Sequence, residues 1–161
     1  MTVLQEIKTW NSVRIGNICC AKAADKQLGI SGIRITHRAY YLLEQAAFEG
    51  IDATLDLVRV TVQELGLKDG ATTAEIHAVA ARNGLSLCPA EVAPQLWLQH
   101  PSLMSWNKGS FIAMELIEDS EGNPSLLYLL AHCVTGRKLI AIRGGPDQIW
   151  NDSDHWVFVR K

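Results

Sequence analysis

"SLLYLLAHCVTGRKLIAIRGG", residues 125–145, holds two apolar runs joined by a Thr-Gly pair, and its reading decides the fold. In an extended chain alternate side chains take opposite faces, so Leu126, Tyr128 and Leu130 point one way and Leu127, Leu129 and Ala131 the other. Both sets are apolar, and such a strand needs cover on both sides. The tight turn at Thr135-Gly136 returns the chain as a second strand, "RKLIAIRGG", antiparallel to the first.

Working outward, "SFIAMELIED" (110–119) precedes this pair and "HWVFVRK" (155–161) follows it. The joins "DSEGNP" and "GGPDQIWNDSD" are turn material. Four consecutive strand-length runs with short connections predict an antiparallel meander. The preceding half reads as largely helical. "NICCAKAADKQLG" (17–29) carries helix-forming alanines and ends on Gly29. Thr36 is placed to cap "HRAYYLLEQAAFEG", with Ala39, Leu42, Leu43 and Ala46 on one face. "LDLVRVTVQELGL" fits either period, but its β-branched residues favour a strand over 56–63. Thr72, three residues before Glu75, marks a reciprocal cap for a helix over 73–83, left through Asn83-Gly84.

"GLSLCPAEVAPQLWLQHP" (84–101) is the hardest stretch. As the second half of a helix-turn-helix it would carry Pro94 inside the recognition helix, and it holds no Lys or Arg for phosphate or guanine. It reads instead as an elbow, Pro89 to Pro94, leading into "QLWLQ" as an edge strand. The expected fold is therefore α+β: a single domain over 1–161, its N-terminal helices packed on one face of a C-terminal antiparallel sheet, the meander. The second face of strand 125–134 is left for a loop or another copy of the chain.

A chain of 161 residues, 48% apolar and 20% charged, is long and oily enough to bury one core without staples. A net charge of −2 supplies no global field for phosphates, so nucleic acid is not the expected partner. "MTVLQEIKTW" lacks the pattern of a secretory leader, and no apolar run approaches the ~20 residues of a bilayer span. The expectation is a cytoplasmic protein with no membrane partner. Cys19, Cys20, Cys88 and Cys133 then read as reduced thiols; the adjacent pair cannot easily bond to each other, and no Cys-x-x-Cys spacing occurs.

Candidate chemistry is sparse. His132 and Cys133 are strand neighbours pointing apart, and His37, His77, His100 and His155 are scattered, so neither a metal nor a cofactor is implied. Cys88 and His100 meet as a thiol pair only if the elbow folds back; a packed thiol is the plainer reading. Asp152, Asp154 and His155 form a loop that reads as turn chemistry. Glu115 shares a predicted face with Phe111, Ala113 and Ile117, which makes it a polar handle beside a cleft or the ion-pair partner of a residue such as Arg143. Trp106, Trp150 and Trp156 read as plugs for the sheet's open ends.

"VTVQELGLKDGATTAEI", "LSLCPAEVAPQLWLQ", "IAMELIEDSEGNPS" and "WVFVRK" resemble segments of a widespread family of small uncharacterised bacterial proteins, some carried on mobile gene cassettes. The helicase label sometimes given to such relatives has no counterpart here, because these residues contain no phosphate loop. The resemblance carries no catalytic residue across.

Together these readings point to a non-enzymatic binding or interaction module. It would self-associate as a homo-oligomer through a sheet edge or the uncovered face, or take an unidentified small molecule or protein. The alternative is a small-molecule-binding protein or enzyme with a cleft between helix 73–83 and the sheet. Its pocket candidates are Glu115, His100, His132, Tyr128, Cys88 and Trp97.

Overall fold

The computed structural model describes residues 7–103 and 105–161. Residues 1–6, which open the stretch tested for a leader pattern, lie outside them. In chain order the elements are β1 (Asn11–Ile15), α1 (Ala21–Ile30), β2 (Arg34–Ile35), α2 (His37–Gln45), β3 (Ala53–Thr61), β4 (Ala71–Thr72), α3 (Thr73–Arg82) and β5 (Leu85–Ser86). There follow α4 (Val92–Gln99), β6 (Lys108–Ile112), β7 (Ile117–Glu118), β8 (Pro124–His132), β9 (Gly136–Arg143), β10 (Ile149–Trp150) and β11 (His155–Arg160).

The local signals act as chemistry requires. Thr36 Oγ1 accepts the Ala39 amide at 3.3 Å and starts α2. At α3 the Thr72 hydroxyl takes the Glu75 amide while Glu75 reaches back to the Thr72 amide, closing the capping box. Gly84, at φ +76°, turns the chain out of α3.

The sheet is not the predicted meander, and the expected architecture of N-terminal helices on a C-terminal antiparallel sheet is overturned. One large curled sheet runs in the order β1-β3-β11-β6-β8-β9-β2, with β5 beside β11 and β7 beside β8; β10 and β4 form a small second sheet. It is mixed: β11 is antiparallel to β3 but parallel to β6, and β2 is parallel to β9. Only β6, β8 and β9 keep the antiparallel succession. The reason lies in "WVFV": Trp156, Val157, Phe158 and Val159 are all buried, so this strand requires neighbours and cover on every side. Beside β9 it would have been an edge. Between β3 and β6 it is central, and the long connection 144–154 carries it there. The front half is accordingly not just a helical roof, since it contributes β1 and β3 to the same sheet.

A second correction concerns "QLWLQ", which is helical within α4 and not an edge strand. Pro94 is the third residue of that helix, where its missing amide breaks no helical bond; the Ala90 carbonyl it would have met accepts the Ala93 amide instead, at 3.2 Å. Six of the eight residues of α4 are buried, so it has no free face to offer a DNA groove.

The helices α1, α2 and α4 pack together against β1, β8 and β9. Beneath them the register aligns Leu127, Leu129 and Leu139, all fully buried. Trp97 fills this layer and donates Nε1–H to the Lys138 carbonyl at 3.0 Å. The opposite face carries Trp156, Phe111 and Tyr128 in register. The Phe111 ring stacks on Trp156 at 4.9 Å and lies 4.7 Å from Trp150. His77 of α3 meets Trp156 and Phe158 edge-on. This cover stops short of the β8–β9 hairpin, leaving Tyr128, Leu130, Ile140 and Ile142 half-buried.

Candidate functional site

A cavity of about 510 Å³ opens where the 46–51 loop after α2 approaches the segments 87–91 and 114–117. That volume lies within the range of small-molecule sites, roughly 300–1,000 Å³. Two backbone features build it. Gly16, at φ +110°, lets the loop come so close that an added Cβ would lie 2.6 Å from the Ile51 carbonyl oxygen. On the other side the Cys88 amide bonds the Ala113 carbonyl at 2.6 Å, and residues 113–116 leave the ladder after β6, before β7 begins. This break is a correction: the predicted continuous strand 111–117 is interrupted, so Glu115 does not share a strand face with Phe111 and Ala113.

The walls are Ile15, Met114, Leu116, Ile117 and small residues, and the exposed side chains of Ile51 and Leu87 stand at the rim. Glu49, Glu91 and Glu115 also line the cavity, and among the described residues no Lys, Arg or His does. Glu91 is buried and fixed: it accepts the Gly16 amide at 2.7 Å and the Gln95 side-chain amide at 2.9 Å. Glu115 is exposed at the opening. Arg143, its suggested ion-pair partner, instead holds Asp119 at 2.9 Å and Glu121 at 2.5 Å. The Asp119 carboxyl lies below the ordinary range, first through the Asn123 amide and with help from Arg143.

Glu91 begins a polar row at helical spacing. The Gln95 amide nitrogen also bonds Asn17, and Gln95 Oε1 accepts the Gln99 amide at 2.8 Å. Gln99 then accepts the Arg14 amide at 2.9 Å and donates to the Arg14 carbonyl at 2.7 Å, while His100 Nε2 meets the Ser12 carbonyl at 2.7 Å. The row thus occupies the outward backbone groups of β1, the edge of the large sheet.

The predicted pocket residues divide. Cys88 and Glu115 line the cavity together. The others do not: Trp97 is core, His100 binds β1, and His132 sits at the β8–β9 turn, its Nδ1 accepting the Val134 and Thr135 amides at 3.2 Å. Tyr128 lies on the far face against Phe111, 4.6 Å between rings. The Cys88 thiol points to the Val157 carbonyl at 3.3 Å, and burial pushes its ionisation far above the ordinary thiol range. It is a packing group, not a nucleophile. The predicted cleft between helix 73–83 and the sheet is filled, because α3 rests directly on Trp156 and Phe158. Sequence reasoning missed Glu91 and Gln95; their spacing with Gln99 would have revealed them had 92–99 been read as a helix. Asp154 accepts the Asn151 amide at 3.0 Å as a turn former, and burial raises its pKa.

No known protein family, curated protein or solved structure matches this chain. The cavity and its carboxyl groups are therefore the guide to function. Among the described residues no cluster of three or more His, Cys, Asp or Glu is placed to hold a metal ion, and no helix is long and apolar enough to cross a membrane.

Proposed function

We propose that this protein is a binding module whose ligand is a small organic cation, an ammonium or amidinium group on an apolar body, taken in the cavity between the 46–51 loop and residues 114–117. The observation that supports this reading is the lining itself: Glu49, Glu91 and Glu115 stand among mainly apolar and small residues, and among the described residues no Lys, Arg or His lines the cavity. The apolar body gains from the wall at about 25 cal/mol per Å² removed from water, and the charged end meets Glu115 and Glu49 at the mouth. Four unpaired cysteines suit a reducing compartment, and the reading places the protein in the cytoplasm.

The test compares matched aryl-alkyl ammonium and carboxylate compounds by calorimetry on the full chain. Ammonium binding with no detectable carboxylate binding supports the reading. Glu49→Gln and Glu115→Gln should each weaken it about two- to fivefold, as expected of exposed ion pairs. Equal binding of both compound classes, or binding of neither, ends the proposal.

A second reading, self-association, draws support from the half-exposed Tyr128, Leu130, Ile140 and Ile142 on the β8–β9 face. The β1 edge is occupied by Gln99 and His100, and β2 at the other edge is two residues long, so association would use the face rather than an edge. Light scattering after gel filtration tests it: a dimer that Ile140→Lys converts to monomer supports it, and a monomer across the concentration range removes it.

A further inference from the structure

A second hollow, about 470 Å³, lies between the start of α1 and the end of α2 and adjoins the first at Ala46. Cys19 and Cys20 open onto it beside Tyr40, Leu43 and Phe48. Both thiols are exposed, and their sulfurs are 3.6 Å apart. Direct oxidation is geometrically poor: neighbouring Cα atoms stand about 3.8 Å apart across a trans peptide, whereas disulfides ordinarily need roughly 4.4–6.8 Å. One atom inserted between the sulfurs relieves that conflict. Two thiolates on a single pyramidal centre at about 2.3 Å, with an angle of about 100°, lie about 3.5 Å apart, close to the spacing already present.

We propose that Cys19 and Cys20 form a chelating dithiol for one trivalent organoarsenical centre, with its organic substituent lying in the hollow against Tyr40 and Phe48. The donor count selects this class. A structural zinc ion asks for four protein ligands, and the described residues provide no third donor here. Arsenic(III) that already carries a carbon substituent needs only two sulfurs. The step is a condensation without redox change: two S–H bonds and the arsenic–oxygen bond are exchanged for two arsenic–sulfur bonds. The two thiol protons leave with the oxygen as one water. Cys20 is the better entering group. It sits at the N-cap of α1, where the free amide of Ala23, then the Cys19 thiol, hold its ionisation below the ordinary thiol range.

The test treats the reduced full chain with one equivalent of phenylarsine oxide and follows intact mass and free thiols. The expected product is a single phenylarsenic adduct that consumes two thiols. It should survive excess 2-mercaptoethanol and be removed by a 1,2-dithiol. Cys133→Ser should leave the adduct unchanged, whereas Cys19→Ser and Cys20→Ser should each weaken it by at least tenfold and typically about 10²-fold, the gain from a tethered second contact. An adduct stripped by the monothiol, a loss under tenfold in both variants, or ready air oxidation to a Cys19–Cys20 disulfide would each overturn the assignment. The monothiol challenge uses the unaltered chain, so its outcome does not depend on any variant folding.

Discussion

Replacing Gln95 by Leu tests whether the polar row on α4 holds the first strand in place. Gln95 is 2% exposed and bonds Glu91, Asn17 and Gln99 at once. Leucine keeps much of the volume but removes all three bonds. Water replaces the bond to the exposed Gln99 at little cost. The Glu91 carboxyl, itself buried, loses one of its two donors, a penalty of about 1–3 kcal/mol, and water replaces the bond to the exposed Asn17 as it does the bond to Gln99. The apolar leucine returns about 1 kcal/mol through burial. The net expectation is about 1 kcal/mol of destabilisation, which for a chain of this size lowers Tm by about 2–4 °C. Urea unfolding at neutral pH gives the free energy, and amide exchange over residues 12–17 should accelerate beyond the rest of the sheet. A second variant sharpens the case: Gln95→Glu sets one carboxyl against another and should lose more stability at pH 7 than at pH 4. If Gln95→Leu proves neutral or stabilising, or exchange rises uniformly, the row does not anchor β1.

Burial lowers the pKa of His77, and burial ahead of Arg59 lowers that of His155, so both stay neutral in the fold below the pH at which they charge when unfolded. Stability should hold above about pH 6.5 and decline as pH falls below it, and His77→Leu should flatten part of that slope in urea titrations from pH 7 to 5. Gly109→Ala should cost about 1–3 kcal/mol by thermal unfolding, because its Cβ would fall 2.5 Å from the Leu129 carbonyl oxygen, which the β6–β8 ladder holds in place. A thiol reagent should titrate Cys19, Cys20 and Cys133 in the native protein and reach Cys88 only in denaturant; fast reaction of all four would contradict the burial of Cys88.

Much of the local structure was legible in the residues, and the reasons are local too. Thr72 and Glu75 satisfy each other's amides within one turn, and Leu42 with Leu43 marks a buried stripe no distant contact needs to create. Pairing order is a different kind of information. "HWVFVRK" shows by its unbroken apolar run that it is buried on both faces, yet nothing within it says that its neighbours are residues 57–61 and 111–112. Pro94 misled for the opposite reason: a helix breaker by rule, it is harmless in the first turn, and the turn's position depends on where Cys88 is pinned to Ala113. The cavity was half legible. Cys88 and Glu115 belong to it, but Glu49 and Ile51 arrive through the close approach at Gly16, a contact across the chain that no spacing announces.

The placement of β11 has a consequence for assembly order. Strands β3 and β6 are not paired with each other: residues 155–160 lie hydrogen-bonded between them, and the Arg59 side chain reaches across to Ser110 Oγ at 2.8 Å. Until that ribbon arrives, the early pair β1–β3 and the late set β6–β8–β9 are two unfinished halves with open flanks, exposed to pairing with strangers. Insertion is therefore the step that commits the molecule, and it demands contacts very distant along the chain, the kind that slow folding most. A polypeptide cut within 145–148 should consequently behave as a lock awaiting its bolt: inert alone, and restored when the detached piece carrying 155–160 is supplied in trans.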